Sequence, residues 1–192
     1  MSLTEEWSRF RDQLKGFGCF ARDDVFHSGI KGIYPFHPYA EYRENSLAEY
    51  FELLNLANGQ SMKSPPVFKS VSGWDKYTRH RLLSLEESLA YYRRIVSDEE
   101  LVRELGQGFV PFSANSAHPS QSLDEMFAID LATGEICLLW CSYADPYNPP
   151  EWLISCFRAA ACLSDFIRCQ RSMLGEFWSG NRLPTTPFRH PA

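Results

Sequence analysis

Apolar residues recur at intervals of three and four in the first third of the chain, the spacing that places side chains on one face of a helix. This pattern predicts helices over 4–16 and 46–57. The boundary signals are Thr4 as N-cap and Gly16 as stop for the first helix, and a Ser46–Glu49 capping box and an Asn58-Gly59 stop for the second. Glycines and prolines interrupt the segment between the two helices, so it is expected to be irregular.

Three further helices are predicted in the remainder of the chain. Their boundary signals are, in chain order, the capping box Ser84 with Glu87, the capping box Ser97 with Glu100, the stop Gly106, and the start Asn148-Pro149-Pro150-Glu151. Proline suits the first turn of a helix, because its missing N–H would have no partner there. The last helix is therefore expected to run from this proline pair to residue 173.

The period of the apolar positions changes to two in the centre of the chain, the alternation that indicates β-strands. Residues 109–113 are expected to form one strand. Residues 126–131 and 135–141 flank a Thr133-Gly134 turn and are expected to form a hairpin. A short strand is expected over 65–72, where two prolines favour the edge of a sheet.

Separate runs of helices and strands indicate the α+β class. The 192 residues suit one α+β domain over 46–173, with an N-terminal helix and irregular extension over 1–45 and a coil tail over 174–192. Hydrophobic residues make up 44% and charged residues 22%, as in ordinary globular proteins. The first 20 residues lack the apolar segment of a secretory signal, and no stretch approaches the roughly 18 apolar residues of a membrane span. We therefore expect a soluble, cytoplasmic protein.

The formal net charge of −5 argues against nucleic-acid binding, which needs clustered Lys and Arg. One stretch, 63–81, is locally basic and contains the aromatic residues Phe68, Trp74 and Tyr77. Such a pattern can bind single-stranded nucleic acid by stacking. An edge strand protected by charged residues explains it at least as well. The overall charge favours the second interpretation and a basic protein partner.

The six cysteines are expected to be free and mostly buried, because the chain is long and lacks an export signal. They are Cys19, Cys137, Cys141, Cys156, Cys162 and Cys169. No two of the five histidines are four residues apart, as a helical zinc site would require. Cys137 and Cys141 would share one side of a strand without a second ligand pair. We therefore expect neither a metal nor a cofactor.

Signatures of catalysis are also missing from the sequence. There is no phosphate-binding glycine-rich loop and no G-x-S-x-G motif. A nucleophilic pair of a cysteine with His80 or His118 stays open, because such pairs form in space. The acidic residues Asp124, Glu125, Asp130 and Glu135 surround the predicted hairpin. They are interpreted as solvated charges, as a docking face for a basic partner, or as the paired carboxylates of a hydrolase.

The order of the predicted elements resembles a known family. A helix ends in Asn58-Gly59, the segment 82–87 joins a strand to a capped helix, a strand at 109–112 precedes a polar loop, and the hairpin at 127–136 is followed by a final helix. This order is similar to that of the Smi/Knr-like proteins of the SUKH superfamily, over roughly Leu47 to Ile167. Two segments depart from the family pattern: the entry to the second helix at 44–47 and the loop at 114–125.

The resemblance implies an antiparallel or mixed sheet packed against helices, and a protein-binding role without catalysis. In the bacterial branch that role is immunity, in which the protein covers the active site of a polymorphic toxin. In the fungal branch it is regulation of cell-wall synthesis as a scaffold. The partner surface is then expected at the departing loop and the acidic hairpin, at His118, Asp124, Glu125, Asp130 and Glu135. An enzyme that uses a thiol or carboxylates is the third hypothesis.

Overall fold

The computed structural model describes residues 1–31, 46–70, 78–115, 125–143 and 152–178. Their elements belong to the α+β class, as predicted. The helices are α1 (Leu3–Lys15), α2 (Ala48–Leu56), α3 (Leu85–Ser97), α4 (Glu99–Leu105) and α5 (Leu163–Trp178). The strands are β1 (Phe26–Ser28), β2 (Ala57–Gln60), β3 (Phe68–Ser70), β4 (Thr78–Leu82), β5 (Phe109–Asn115), β6 (Glu125–Asp130), β7 (Ile136–Tyr143) and β8 (Trp152–Ala160).

Six of these strands form one antiparallel sheet in the order β3-β4-β5-β6-β7-β8. Strands β1 and β2 pair separately as an antiparallel ribbon. Successive residues of a strand point to opposite faces, and along β6 Phe127 and Ile129 belong to one apolar cluster whereas Met126 and Ala128 belong to another. Helices α1, α2 and α5 contribute to the first cluster and α4 to the second, while α3 contributes to both. The sheet is therefore packed between helices on both sides.

The predicted capping box at the start of α3 is confirmed. The Ser84 hydroxyl accepts a hydrogen bond from the Glu87 N–H at 3.2 Å, and the Glu87 carboxylate accepts one from the Ser84 N–H at 2.8 Å. The N-cap predicted for α1 is wrong: Ser2 forms the capping box, and Thr4 lies inside the helix, where its hydroxyl donates to Glu52. Two serine-like residues close to a helix start compete, and Ser2 has its glutamate three residues on, at Glu5.

Two other predicted caps are also replaced. At α4 the N-cap is Asp98, which accepts hydrogen bonds from two backbone N–H groups, while the Ser97 hydroxyl donates to the Arg94 carbonyl at the end of α3. At α2 the N-cap is Leu47, whose side chain makes no capping hydrogen bond, and Glu49 accepts a hydrogen bond from the distant Ser164 N–H. The local sequence pattern therefore predicts where a helix starts. Which side chain caps it also depends on contacts with distant parts of the chain.

The helix predicted from the proline pair at 148–151 to residue 173 is the largest error. The prolines lie outside the described residues, but Trp152–Ala160 is the strand β8, paired with β7 along its whole length. The helix α5 begins only at Leu163 and continues to Trp178. The apolar and polar residues of 152–160 fit both the helical period of 3.6 and the strand period of two. Because the segment can pair with the outer side of the long strand β7, it forms a strand. The expected long C-terminal helix is present, shifted toward the C-terminus.

Candidate functional site

The structure places three of the five predicted partner-binding residues. His118 and Asp124 lie outside the described residues. Glu125 is buried with 4% of its surface exposed, whereas Asp130 and Glu135 are partly exposed at the two ends of the β6–β7 turn. Of these three described residues, Asp130 and Glu135 lie where a partner could contact them.

Glu125 belongs to a buried polar cluster inside the sheet. Its Oε1 lies 3.0 Å from His80 Nε2, and the Ser70 hydroxyl lies 3.1 Å from the same nitrogen. His80 is fully buried and contacts Phe127 with the two rings tilted, their centroids 4.9 Å apart. A serine, a histidine and a glutamate are thus in contact, as they are in some hydrolases. Here, however, the serine hydroxyl and the glutamate carboxylate both contact the same histidine nitrogen, Nε2. A catalytic relay needs the carboxylate and the hydroxyl on opposite nitrogens.

Burial keeps His80 neutral. Desolvation lowers the pKa of His80 below its ordinary value, and this effect outweighs the hydrogen bond and the charge of Glu125, which raise it. Among the described residues none bonds Nδ1. We assign the proton to Nε2, because an unbonded buried lone pair is less costly than an unbonded N–H. The cluster therefore has a structural role: its buried polar contacts connect β3, β4 and β6.

This pKa shift predicts a loss of stability in mild acid. Because the folded pKa of His80 is lowered, the unfolded chain binds a proton first as pH falls below about 6.5. The free energy of unfolding should be constant above that pH and fall below it, by at most about 1.4 kcal/mol per pH unit. Urea unfolding between mildly acidic and neutral pH measures the slope. His80→Gln should flatten it, and the exposed His27→Gln should retain it; an unchanged slope in His80→Gln contradicts the assignment.

The turn between β6 and β7 is organised by its acidic residues. The Asp130 carboxylate accepts hydrogen bonds from the Ala132 N–H and the Thr133 hydroxyl, both at 2.8 Å. Gly134 adopts a φ of 78°, the left-handed conformation that suits glycine in such a turn. Glu135 pairs with Arg158 of β8 at 2.8 Å, and the arginine side chain is 56% exposed. The acidic turn therefore lies beside the outermost strand.

The two outer strands of the sheet differ in exposure. All three residues of β3 are buried, and Gln170 of α5 closes its outer side by accepting from the Lys69 N–H at 2.8 Å and donating to the Lys69 carbonyl at 2.9 Å. On β8, by contrast, the consecutive residues 156–158 are all exposed, so both faces of the strand are open there. In the described part of the chain no strand pairs with the outer side of β8.

A cleft of about 370 Å³ lies between the starts of α2 and α5, next to the same turn. Its polar lining consists of Ser46, Glu49, Tyr50, Thr133 and Cys162. The Glu49 carboxylate accepts the Ser164 N–H at 3.0 Å, so a side chain of the protein already caps this end of α5. The N-terminus of α5 is therefore already occupied and is not open to an anion.

The cysteines are free, as expected, but the expectation that most are buried is wrong. Cys137 and Cys141 are buried, Cys162 is intermediate, and Cys19, Cys156 and Cys169 are exposed. The exposed ones lie on a short turn, on the outermost strand and on the outer side of a helix, where small residues need no core contact. Within the described ranges no group of three His, Cys, Asp or Glu side chains could hold a metal ion.

Sequence reasoning missed the strand β8, because 152–160 was assigned to a helix. The available signal was the length of the predicted β7, whose outer side needs a partner strand or a cover.

No helix among the described residues is both long and apolar enough to cross a membrane. No protein-family model and no curated protein sequence matches the chain. The similarity to Smi/Knr-like proteins therefore stays a prediction.

Proposed function

We propose that this protein is a non-catalytic protein-binding domain, and that it acts as an immunity protein that neutralises a polymorphic toxin. The observation that carries the protein-binding role is the outer strand β8, whose residues 156–158 are exposed and whose outer side pairs with no strand of the described ranges. An exposed edge strand presents unpaired N–H and C=O groups on which another chain can add a strand. Natural sheets usually protect such an edge, as Gln170 protects β3 here.

The charge around β8 supports a basic partner. Asp130 and the Glu135–Arg158 ion pair lie at the adjoining turn, and the whole chain carries a formal net charge of −5. Complementary charge increases the association rate and excludes acidic competitors. A toxin that acts on nucleic acid needs a basic active site, so an acidic cover fits it.

The order of elements from α2 to α5 also supports the proposal. A helix, a strand leading directly into a capped helix, a hairpin and a final helix follow one another as the resemblance implies. The strand β8, which the resemblance did not indicate, lies between the hairpin and the final helix. The departures at 44–47 and 114–125 imply that the partner differs from those of related proteins.

The proposal predicts a toxin domain encoded in a neighbouring gene, and that domain provides the test. We expect the two purified proteins to form a stable complex, and an equimolar amount of this protein to abolish the toxin's activity without altering the toxin covalently. Sub-stoichiometric inhibition would indicate catalysis and contradict the proposal. If no neighbouring toxin binds and deletion of the gene leaves competition between sibling cells unchanged, the immunity role fails. Capture of cell-envelope synthesis proteins would then favour the regulatory scaffold.

A further inference from the structure

Two cysteines on neighbouring strands form a thiol pair that the protein-binding role does not use. Cys137 of β7 lies opposite Arg158 of β8, and Cys156 is two residues from that arginine, on the same face of the sheet. Each thiol is the main influence on the pKa of the other, through a hydrogen bond between them. Cys137 is 7% exposed, whereas Cys156 is exposed to solvent.

The register of the two strands places Cys137 and Cys156 on diagonally adjacent positions of the same face. Ile136 pairs with Ala160 but Cys137 pairs with Arg158, so one residue of β8 is unmatched. Such a bulge increases the local twist of a strand pair. A disulfide requires the two Cβ atoms to approach to about 3.5–4.5 Å. Because β8 is an outer strand, a small shift can achieve this without breaking a second strand pairing.

The two thiols differ in acidity. Donation of the Cys137 S–H lowers the pKa of the Cys156 thiol. The same hydrogen bond and burial raise the pKa of Cys137. The negative charge of Asp130 raises the pKa of both thiols, but less than the hydrogen bond and burial change it. Cys156 therefore ionises first and faces solvent, while Cys137 keeps its proton beside it. An exposed, acidic thiol next to a second thiol is the arrangement that redox-sensitive proteins use.

We propose that Cys137 and Cys156 form a peroxide-reactive dithiol that closes reversibly to a disulfide between β7 and β8. The Cys156 thiolate attacks one oxygen of hydrogen peroxide, the O–O bond breaks, and the departing hydroxide takes a proton to become water. The Cys156 sulfenic acid is uncharged, so the obstacle to ionisation of Cys137 is reduced. The Cys137 sulfur then attacks the Cys156 sulfur, the S–O bond breaks, and its proton leaves in a second water.

In the net reaction two thiols are oxidised and one peroxide is reduced to two waters. A dithiol reductant returns the pair to its starting state by thiol–disulfide exchange. Because the described residues hold no third ligand, two sulfurs alone define the site and metal binding is not needed to explain it. The proposal stands independently of any protein partner.

Peroxide oxidation of the folded protein tests the site. After treatment with equimolar hydrogen peroxide, alkylation and digestion, mass spectrometry should find peptides linked through Cys137 and Cys156. The exposed Cys19 and Cys169 should be recovered as alkylated thiols. In the untreated protein, Cys156 should react with iodoacetamide about tenfold faster than Cys19 at neutral pH, since a higher thiolate fraction speeds alkylation.

Single substitutions separate the roles of the two thiols. Cys156→Ser replaces an exposed residue, so it should fold and should remove both the fast alkylation and the disulfide. Cys137→Val should leave a Cys156 sulfenic acid that dimedone traps, and Cys169→Ser should behave as the wild-type protein. The proposal is overturned if Cys156 reacts no faster than Cys19, or if the linked peptides contain other cysteines. It is also overturned if the 137–156 link forms only after urea unfolding.

Discussion

Replacing Arg171 with methionine is expected to lower the free energy of unfolding by about 3 kcal/mol. Glu6 of α1 is completely buried, and its Oε2 lies 3.2 Å from Nη2 of Arg171 on α5. Among the described residues the Glu6 carboxylate oxygens have no hydrogen bond. Removal of the arginine leaves a buried carboxylate without its countercharge, at the place where α1 packs on α5. Chemical denaturation measures the loss.

Two further variants separate the ion pair from the packing of the side chain. Arg168→Met on the same helix removes an exposed arginine paired with Asp165, and should change stability by less than about 1 kcal/mol. The double variant Glu6→Met with Arg171→Met removes both charges and should recover most of the stability lost in the single variant. A double variant as unstable as the single one would show that packing, and not the unpaired charge, causes the loss.

Gly59→Ala is expected to destabilise the protein by about 3 kcal/mol or more. Gly59 has a φ of 88°, and a Cβ atom there would lie 2.7 Å from the backbone nitrogen of Ser84. Ser84 caps α3, and the neighbouring Asn58 accepts the Leu85 N–H at 2.8 Å. The Asn-Gly pair thus docks the ribbon of β1 and β2 on the start of α3, and a methyl group would separate them.

Gly106 provides the matched control for this prediction. It also has a positive φ, of 73°, but a Cβ atom there would meet nothing within 4 Å. Gly106→Ala should therefore show the backbone strain alone, about 1–3 kcal/mol, because its φ of 73° and ψ of −172° lie in a region that almost only glycine adopts. Thermal unfolding of both variants compares them. Equal losses in the two would mean that the contact with Ser84 has no energetic role.

Local signals in the sequence predict the elements whose contacts are also local. The capping box of Ser84 with Glu87 spans three residues, so the sequence suffices to place the start of α3. The same pattern at Ser46 and Glu49 fails, because the glutamate accepts a hydrogen bond from Ser164, 115 residues away. The prediction for residues 152–160 is wrong for a similar reason. Their sequence pattern is ambiguous, and pairing with β7 makes them a strand.

The candidate site follows the same rule. Asp130 and Glu135 were placed correctly at a turn, because a hairpin is a local structure. Glu125 precedes the buried Phe127 by two residues, and the period of two already places both on one face of the strand. Its partner His80 is 45 residues away, and no pattern in the sequence joins them. The thiol pair is equally non-local, as it depends on the register of β7 and β8.

The central claim, that a protein partner binds along β8, is tested most directly by calorimetric titration with the neighbouring toxin domain. Phe157 of β8 is 40% exposed, and Met62, between β2 and β3, is 68% exposed. Replacing either with lysine exchanges an exposed apolar side chain for the same charge. Phe157→Lys should weaken binding by about tenfold or more, equivalent to about 1.4 kcal/mol, whereas Met62→Lys should bind as the wild-type protein does. Unchanged affinity in Phe157→Lys would contradict the account.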